Sequence, residues 1–190
     1  MKTQATHGSC YWQGDKVRLR AWEPSDAEHL WSAQWDSEAI RVLEAGIDAP
    51  RSREQLRAWI ARDATEDHPN VLRFVIETFV GEPVGWANLR DWQSPAGTFS
   101  FAVRVYREYQ RQGYAGEAVR ILLRYGFHEL RCQKANSVTI SSNTASIEMH
   151  RRLGFVEEGR LRRNAYTDGR YWDEVLFGMT REEFDARYQL

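Results

Sequence analysis

Cysteine is scarce, with only Cys10 and Cys132 in 190 residues. Two thiols exclude a disulfide framework and a thiolate zinc cage. The five prolines and thirteen glycines gather in no Pro/Gly/Ser tract, so no linker divides the chain. Neither sign of charge dominates: 26 Lys plus Arg stand against 27 Asp plus Glu, a net charge of −1. That balance argues against a general polyanion binder and against a nucleic-acid-binding domain. No stretch approaches the ~20 apolar residues of a membrane span. The first fourteen residues lack the apolar run of a secretion signal. A reducing, cytoplasmic setting is the resulting expectation, with no membrane partner. His7, His29, His68 and His128 show no i, i+4 pair and no ligand spacing, so no metal is expected.

Hydrophobic residues make up 42% of the chain, enough for a core. At roughly 100–200 residues per domain, one compact unit is expected. Residues 1–14 read as a loose or strand-adding arm, and residues 15–190 as a single domain. Eight tryptophans exceed what a core of this size can centre. Some are expected to line a groove or a subunit interface, and together with the final hairpin such surface aromatics are compatible with a homodimer.

Val17 to Trp22 alternates apolar and polar residues and predicts a first strand. Ser25-Asp26-Ala27-Glu28 and Ser52-Arg53-Glu54-Gln55 each have the form of a capping box, so each should open a helix. A meander follows, with strands at Leu72–Ile76, Val84–Trp92 and Phe99–Val105, separated by Gly81-Glu82-Pro83 and Ser94-Pro95-Ala96-Gly97. After Tyr106 the period lengthens: Ala115, Val119, Leu122, Leu123, Gly126 and Leu130 follow helical spacing. Lys134–Ser141 returns to strand chemistry. Ser146, Met149, His150 and Leu153 share a helical face. A hairpin around Thr167-Asp168-Gly169 and a closing helix over 181–188 complete the chain. The order β-α-α-β-β-β-α-β-α-β-β-α predicts an α+β domain with a mixed sheet.

Gln110-Arg111-Gln112-Gly113-Tyr114-Ala115-Gly116 lies between a strand and a strongly amphipathic helix. Such a junction offers unpaired N–H groups at the positive end of the helix dipole. Gly113, Ala115 and Gly116 let a phosphate approach the main chain. No acid lies between Gln110 and Gly116, and Arg111 adds a positive charge. A plain glycine-bearing turn into a helix reads equally well on the glycines alone. The Gly-Lys-Ser/Thr ending of a mononucleotide loop is absent, as is the three-glycine dinucleotide fingerprint.

The second informative stretch is Ser142-Asn143-Thr144-Ala145-Ser146, running on to Leu153-Gly154-Phe155. Asn143 is a natural N-cap. Asn143, Ser146 and His150 at i, i+3, i+7 put an amide, a hydroxyl and an imidazole in one row. A capped amphipathic helix with a tolerated histidine accounts for the same pattern. Arg151, Arg152, Arg160, Arg162 and Arg163 form a basic cluster. It reads first as a solvated face balanced by Glu157 and Glu158, and second as a contact for a phosphate or an acidic acceptor.

Taken together, these stretches resemble the GCN5-related N-acetyltransferases. The phosphate motif Gln/Arg-x-x-Gly-x-Gly/Ala falls on Gln110, Gly113 and Ala115, with Tyr114 giving the common Gly-Tyr-Ala form. Asn143…Ser146…Arg152-Leu153-Gly154-Phe155 resembles the second family segment, about thirty residues on. The tail Glu158-Gly159-Arg160…Asp168–Asp173 is similar to the branch that acetylates ribosomal-protein N-termini and related small amines. The resemblance covers roughly residues 16–180 and implies the acyl-CoA N-acyltransferase fold. That fold has a central mixed sheet splayed between its fourth and fifth strands, with helices on both faces.

The resemblance also implies acetyl-CoA as cosubstrate and a primary amine as acceptor, either a protein N-terminus or a small molecule. The main chain of Val103 and Val105 would bond the pantetheine arm. The N–H groups of Arg111, Gln112, Gly113, Tyr114, Ala115 and Gly116 would hold the diphosphate. Asn143 would touch the pantetheine side and Ser146 would lie near the sulfur. His150, where the family commonly has Tyr, would stand in the position of the acid that protonates the thiolate. Oxyanion stabilisation would fall to the N–H of Val103 or Arg104. Glu77, Asp91, Asp173 and Glu174 are the candidate bases, and Trp22, Trp31, Trp35 and Trp59 stand in the region that shapes the acceptor site. A non-catalytic acyl-CoA sensor on the same fold would use the same turn.

Overall fold

The computed structural model of the chain describes residues 10–44, 46–66 and 68–189. Seven strands form one sheet: β1 (Val17–Arg20), β2 (Val71–Thr78), β3 (Pro83–Arg90), β4 (Thr98–Val105), β5 (Lys134–Ile140), β6 (Val156–Thr167) and β7 (Arg170–Thr180). Their order is β1-β2-β3-β4-β5-β7-β6. Neighbours pair antiparallel except β4 and β5, which run parallel. The helices are α1 (Ala27–Ala33), α2 (Ser37–Glu44), α3 (Arg53–Asp63), α4 (Tyr114–Arg124), α5 (Thr144–Leu153) and α6 (Arg181–Tyr188). This is the mixed-sheet α+β architecture expected from the sequence. Among the described residues no helix is long and apolar enough to cross a membrane.

The two faces of the sheet carry different chemistry, because successive strand residues point to opposite sides. Phe99 and Phe101 of β4 and Ala87 and Leu89 of β3 are buried with Ala118, Val119, Leu122 and Leu123 of α4 in the main core. The intervening residues Trp86, Asn88 and Arg104 point the other way, towards α1–α3. There Ala27, Leu56 and Ile60 make a second, small cluster with Trp22, Leu30, Trp31 and Trp59. The arm expected over 1–14 falls partly outside the described residues. Its last part folds back on β1: Leu19 N–H donates to the Trp12 carbonyl at 2.8 Å, and Trp12 packs on Phe74 and Tyr125.

The turn joining β6 and β7 has φ of 54° at Asp168 and 75° at Gly169. Two successive positive angles make the primed turn that Asp-Gly favours. The Ser52 box forms as expected: Ser52 Oγ accepts from Gln55 N–H at 3.1 Å, and Gln55 Oε1 accepts from Ser52 N–H at 2.8 Å. The Ser25 box does not. Glu23 takes the cap instead, and its N–H donates to Asp26 Oδ2 at 2.7 Å. Asp26 is held there by Arg20, whose two Nη atoms both reach it at 2.8 Å. The helix α2 was not expected, and it roofs part of the site described next.

Candidate active site

The parallel ladder between β4 and β5 is short. Only Thr98, Phe99 and Ser100 pair, with Lys134, Ala135 and Asn136. Beyond them Phe101–Val105 and Ser137–Ile140 diverge, which is the splay the resemblance implies. Tyr106 N–H donates to Val84 O and Ala102 N–H to Asn88 Oδ1, both on the β3 side. Alternation along the strand then turns the N–H and C=O of Phe101, Val103 and Val105 into the opening. The Arg104 N–H faces β3 instead. Gln110 Nε2 donates to the Val105 carbonyl at 3.2 Å, closing one end.

The corner after β4 has φ of 63° at Arg111 and 87° at Gly113, which precedes α4 as its N-cap. Only Gly takes the second angle at no steric cost. Among the described residues none of the N–H groups from Arg111 to Gly116 donates to a protein acceptor. Six donors are therefore left without a protein acceptor in the corner and first turn of an eleven-residue helix. Lys16, not singled out by any sequence motif, donates from Nζ to Gln112 O at 2.9 Å. A Cβ on Gly113 would lie 3.2 Å from that ammonium. The first acid of α4, Glu117, is turned away: Oε1 accepts from Lys16 N–H at 2.7 Å and Val17 N–H at 3.2 Å. The corner is thus cleared of negative charge and fits a diphosphate, while the open edge of β4 fits an amide-bearing arm.

Across the opening, Asn143 caps α5, its Oδ1 accepting from Ser146 N–H at 3.0 Å. Its Nδ2 donates to Val42 O at 3.2 Å, which ties α5 to α2. Ser146 is half-buried. His150 is only 2% exposed. Its ring stacks on Phe177 and lies between Phe101 and Phe155. Nδ1 lies 2.7 Å from the Ser146 carbonyl and 3.3 Å from its hydroxyl, and Nε2 lies 2.8 Å from Ser137 Oγ. Phe101 and Ser137 are the first residues past the paired ladder, so His150 wedges the fork. Burial holds its pKa below the ordinary value, so the ring is neutral at pH 7. With Nδ1–H donating to the carbonyl, Nε2 accepts from Ser137.

On the opposite face of the sheet lies a cavity of about 290 Å³. Trp22, Trp59 and Trp86 supply its apolar wall, and Arg104, Glu44 and Asp48 supply charge. Trp31 and Trp35 do not line it; they meet edge to face at 5.8 Å, with Arg53 over the Trp31 ring. None of the four candidate bases lines it either. Burial pushes the Glu77 carboxyl up, but Arg20 and Arg18 outweigh that and hold it low. Asp91 accepts from Ser100 Oγ at 2.6 Å, Asp173 from Arg163 N–H at 2.9 Å, and Glu174 from Asn164 Nδ2 at 2.7 Å. The carboxylates that do line the cavity, Glu44 at the end of α2 and Asp48 in the loop after it, were not singled out from the sequence, in which α2 was not expected. The arginine cluster is largely spent on neighbours: Arg151 and Arg160 on Glu157, and Arg152 on Glu148.

A profile of the acetyltransferase (GNAT) domain matches residues 16–156. The SPbeta prophage-derived uncharacterized N-acetyltransferase YokL of Bacillus subtilis is 35% identical over 94% of this chain and 97% of its own. The putative ribosomal N-acetyltransferase YdaF of the same organism is 28% identical, over 90% and 95% respectively. The crystal structure of spermidine N-acetyltransferase from Vibrio cholerae in complex with CoA and spermine superposes with a TM-score of 0.76. It covers 88% of this chain and 97% of its own at 21% identity, a likeness of fold. With the profile spanning most of its length and such a relative aligned almost throughout, the chain belongs to the GNAT acetyltransferase family and is an N-acetyltransferase.

Proposed function

We propose that the chain transfers the acetyl group of acetyl-CoA directly to a primary amine, with both substrates bound together. The observation that carries this reading is the run of N–H groups from Arg111 to Gly116 left without a protein acceptor, in the corner that follows β4 where the β4–β5 ladder has ended. Arg111, Gln112, Gly113, Tyr114, Ala115 and Gly116 hold the diphosphate, with Lys16 beside them. Main-chain groups of Val103 and Val105 hold the pantetheine arm, which runs past Asn143. The amine enters from the cavity between the sheet and α1–α3.

Acetyl-CoA supplies an activated thioester. The protein supplies alignment, which is worth several kcal/mol of barrier in well-oriented systems. The Val103 N–H donates to the thioester oxygen as negative charge develops on it. The amine nitrogen bonds to the acetyl carbon as the carbon–sulfur bond breaks. The amine gives up its proton towards the carboxylates of Glu44 and Asp48. Ser146 Oγ hands a proton to the departing sulfur and recovers one from solvent. His150, neutral behind the first turn of α5, fixes the position of Ser146. An α-amino acceptor of pKa about 7.7–8.0 demands less of the base than a lysine-type amine near 10.4. A protein N-terminus or a small α-amino compound is therefore the acceptor class we favour.

Gly113→Glu tests the corner, because a carboxylate would occupy the anion position. Calorimetry is expected to find no CoA binding in this variant with its circular dichroism unchanged. Wild-type affinity would reject the assignment. Ser146→Ala is expected to slow thiol release by roughly 10²-fold with acetyl-CoA affinity unchanged. Equal loss of both would make Ser146 a binding residue.

A further inference from the structure

We propose that Arg104 selects the acceptor by pairing with an acceptor carboxylate, so that the chain acetylates amino-carboxylates in preference to polyamines. This rests on the transfer reading above and deepens it.

Arg104 projects from β4 on the cavity face, opposite Trp86 in the β3–β4 register. Its guanidinium is underused. Nη2 donates to the Ala33 carbonyl at 2.7 Å. Nε is enclosed and has no partner. Among the described residues no carboxylate lies within ion-pairing distance of it; the nearby Asp36 is held by Arg107 at 2.7 Å. A half-buried charge beside a cavity, with most of its five N–H donors unspent, calls for an anion. A carboxylate fits that planar fork in two-point fashion.

The other charges of the cavity extend the argument. Arg73 also lines it, but its charge is taken by Asp63. Among the described residues Arg51 has no acidic partner, and Glu44 and Asp48, which line the same cavity, have no basic one. With Arg104 half-buried and Arg51, Glu44 and Asp48 exposed at the rim, the cavity offers both signs of charge to a zwitterion. A polyamine would satisfy Glu44 and Asp48 but would bring further cations against Arg104 and Arg51. Arg104 also neighbours Val103, whose N–H faces the opening. A carboxylate held at Arg104 thus anchors the amine next to the reacting carbonyl.

The test measures thiol release by the full-length chain with acetyl-CoA and three acceptor sets: free α-amino acids, the same compounds as carboxamides, and spermidine. Free acids are expected to exceed their amides and spermidine in kcat/KM by at least about tenfold. Arg104→Gln is expected to erase that ratio by lowering the acids alone, leaving the KM for acetyl-CoA unchanged. Arg104→Lys, which keeps the charge, is expected to restore part of it. Acids and amides reacting alike in the wild type, or spermidine reacting best, would overturn the role of Arg104 while leaving acetyl transfer intact. No thiol release with any amine would overturn the transfer reading and the proposal together.

Discussion

His150 shows how much a single residue's surroundings change its meaning. Its spacing from Asn143 and Ser146 put it on the right helical face, and that was legible. Its burial was not, because the ring's partners Phe101, Ser137 and Phe177 come from three strands. The same holds for Lys16, which reaches Gly113 only through the pairing of β1 with the sheet. His150 makes a prediction in pH. Its folded pKa lies below its unfolded value of about 6.5, so the unfolded chain takes up the proton first. The stability His150 contributes is complete above pH ~6.5 and is lost as the pH falls towards the folded pKa. Unfolding free energies from urea titrations between pH ~7.5 and ~5.5 are expected to fall by up to about 1.4 kcal/mol per pH unit more steeply in the wild type than in His150→Phe. Parallel curves for the two proteins would show that the imidazole does not titrate with folding.

At the scale of elements, most strands and helices followed from periodicity, because they bury one clear face; β6, exposed over most of its length, followed from the Asp-Gly turn beside it. The exception is α2. It runs eight residues and contains no fully buried side chain. Its apolar Ile40, Val42 and Leu43 are half-covered, and about two turns are too few for the repeat to stand out. A cap signal did exist: Asp36 Oδ1 accepts from Ala39 N–H at 3.2 Å. The first capping box failed for a different reason. Glu23-x-x-Asp26 and Ser25-x-x-Glu28 overlap, and only the contact with Arg20 decides between them. Close approach of an element to the sheet gives a sharper test. After α4 the chain makes a wide turn over Tyr125–Glu129, and a Cβ on Gly126 would stand 2.4 Å from the Phe99 ring. Gly126→Ala is expected to cost about 1–3 kcal/mol, read as a lower urea midpoint at constant slope. Phe99→Leu in the same chain is expected to return part of that loss, since the two sites touch. A simple sum of the two single effects would mean that the clash is relieved by movement elsewhere.

For the whole molecule, the decisive feature is that two parts of one sheet are joined by three residue pairs between β4 and β5. Local pattern does not encode where neighbouring strands stop pairing, so the opening was legible only through the family resemblance. On the reading proposed above, the same geometry would make the fold's stability respond to CoA. A molecule lying in the opening contacts β4, the Arg111–Gly116 corner and α5 at once, and so bridges what the ladder leaves apart. Binding to the folded state alone at a hundredfold excess over Kd adds about 2.7 kcal/mol. For a chain of this size that corresponds to a rise of about 5–10 °C in Tm. CoA is therefore expected to raise the Tm of the wild type by that amount and to leave Gly113→Glu unmoved. Amide exchange is expected to slow at Val103 and Val105, whose N–H groups face the opening, more than at Ala102 and Arg104, already directed at β3. Uniform slowing along β4 would mean that CoA tightens the domain without entering the fork.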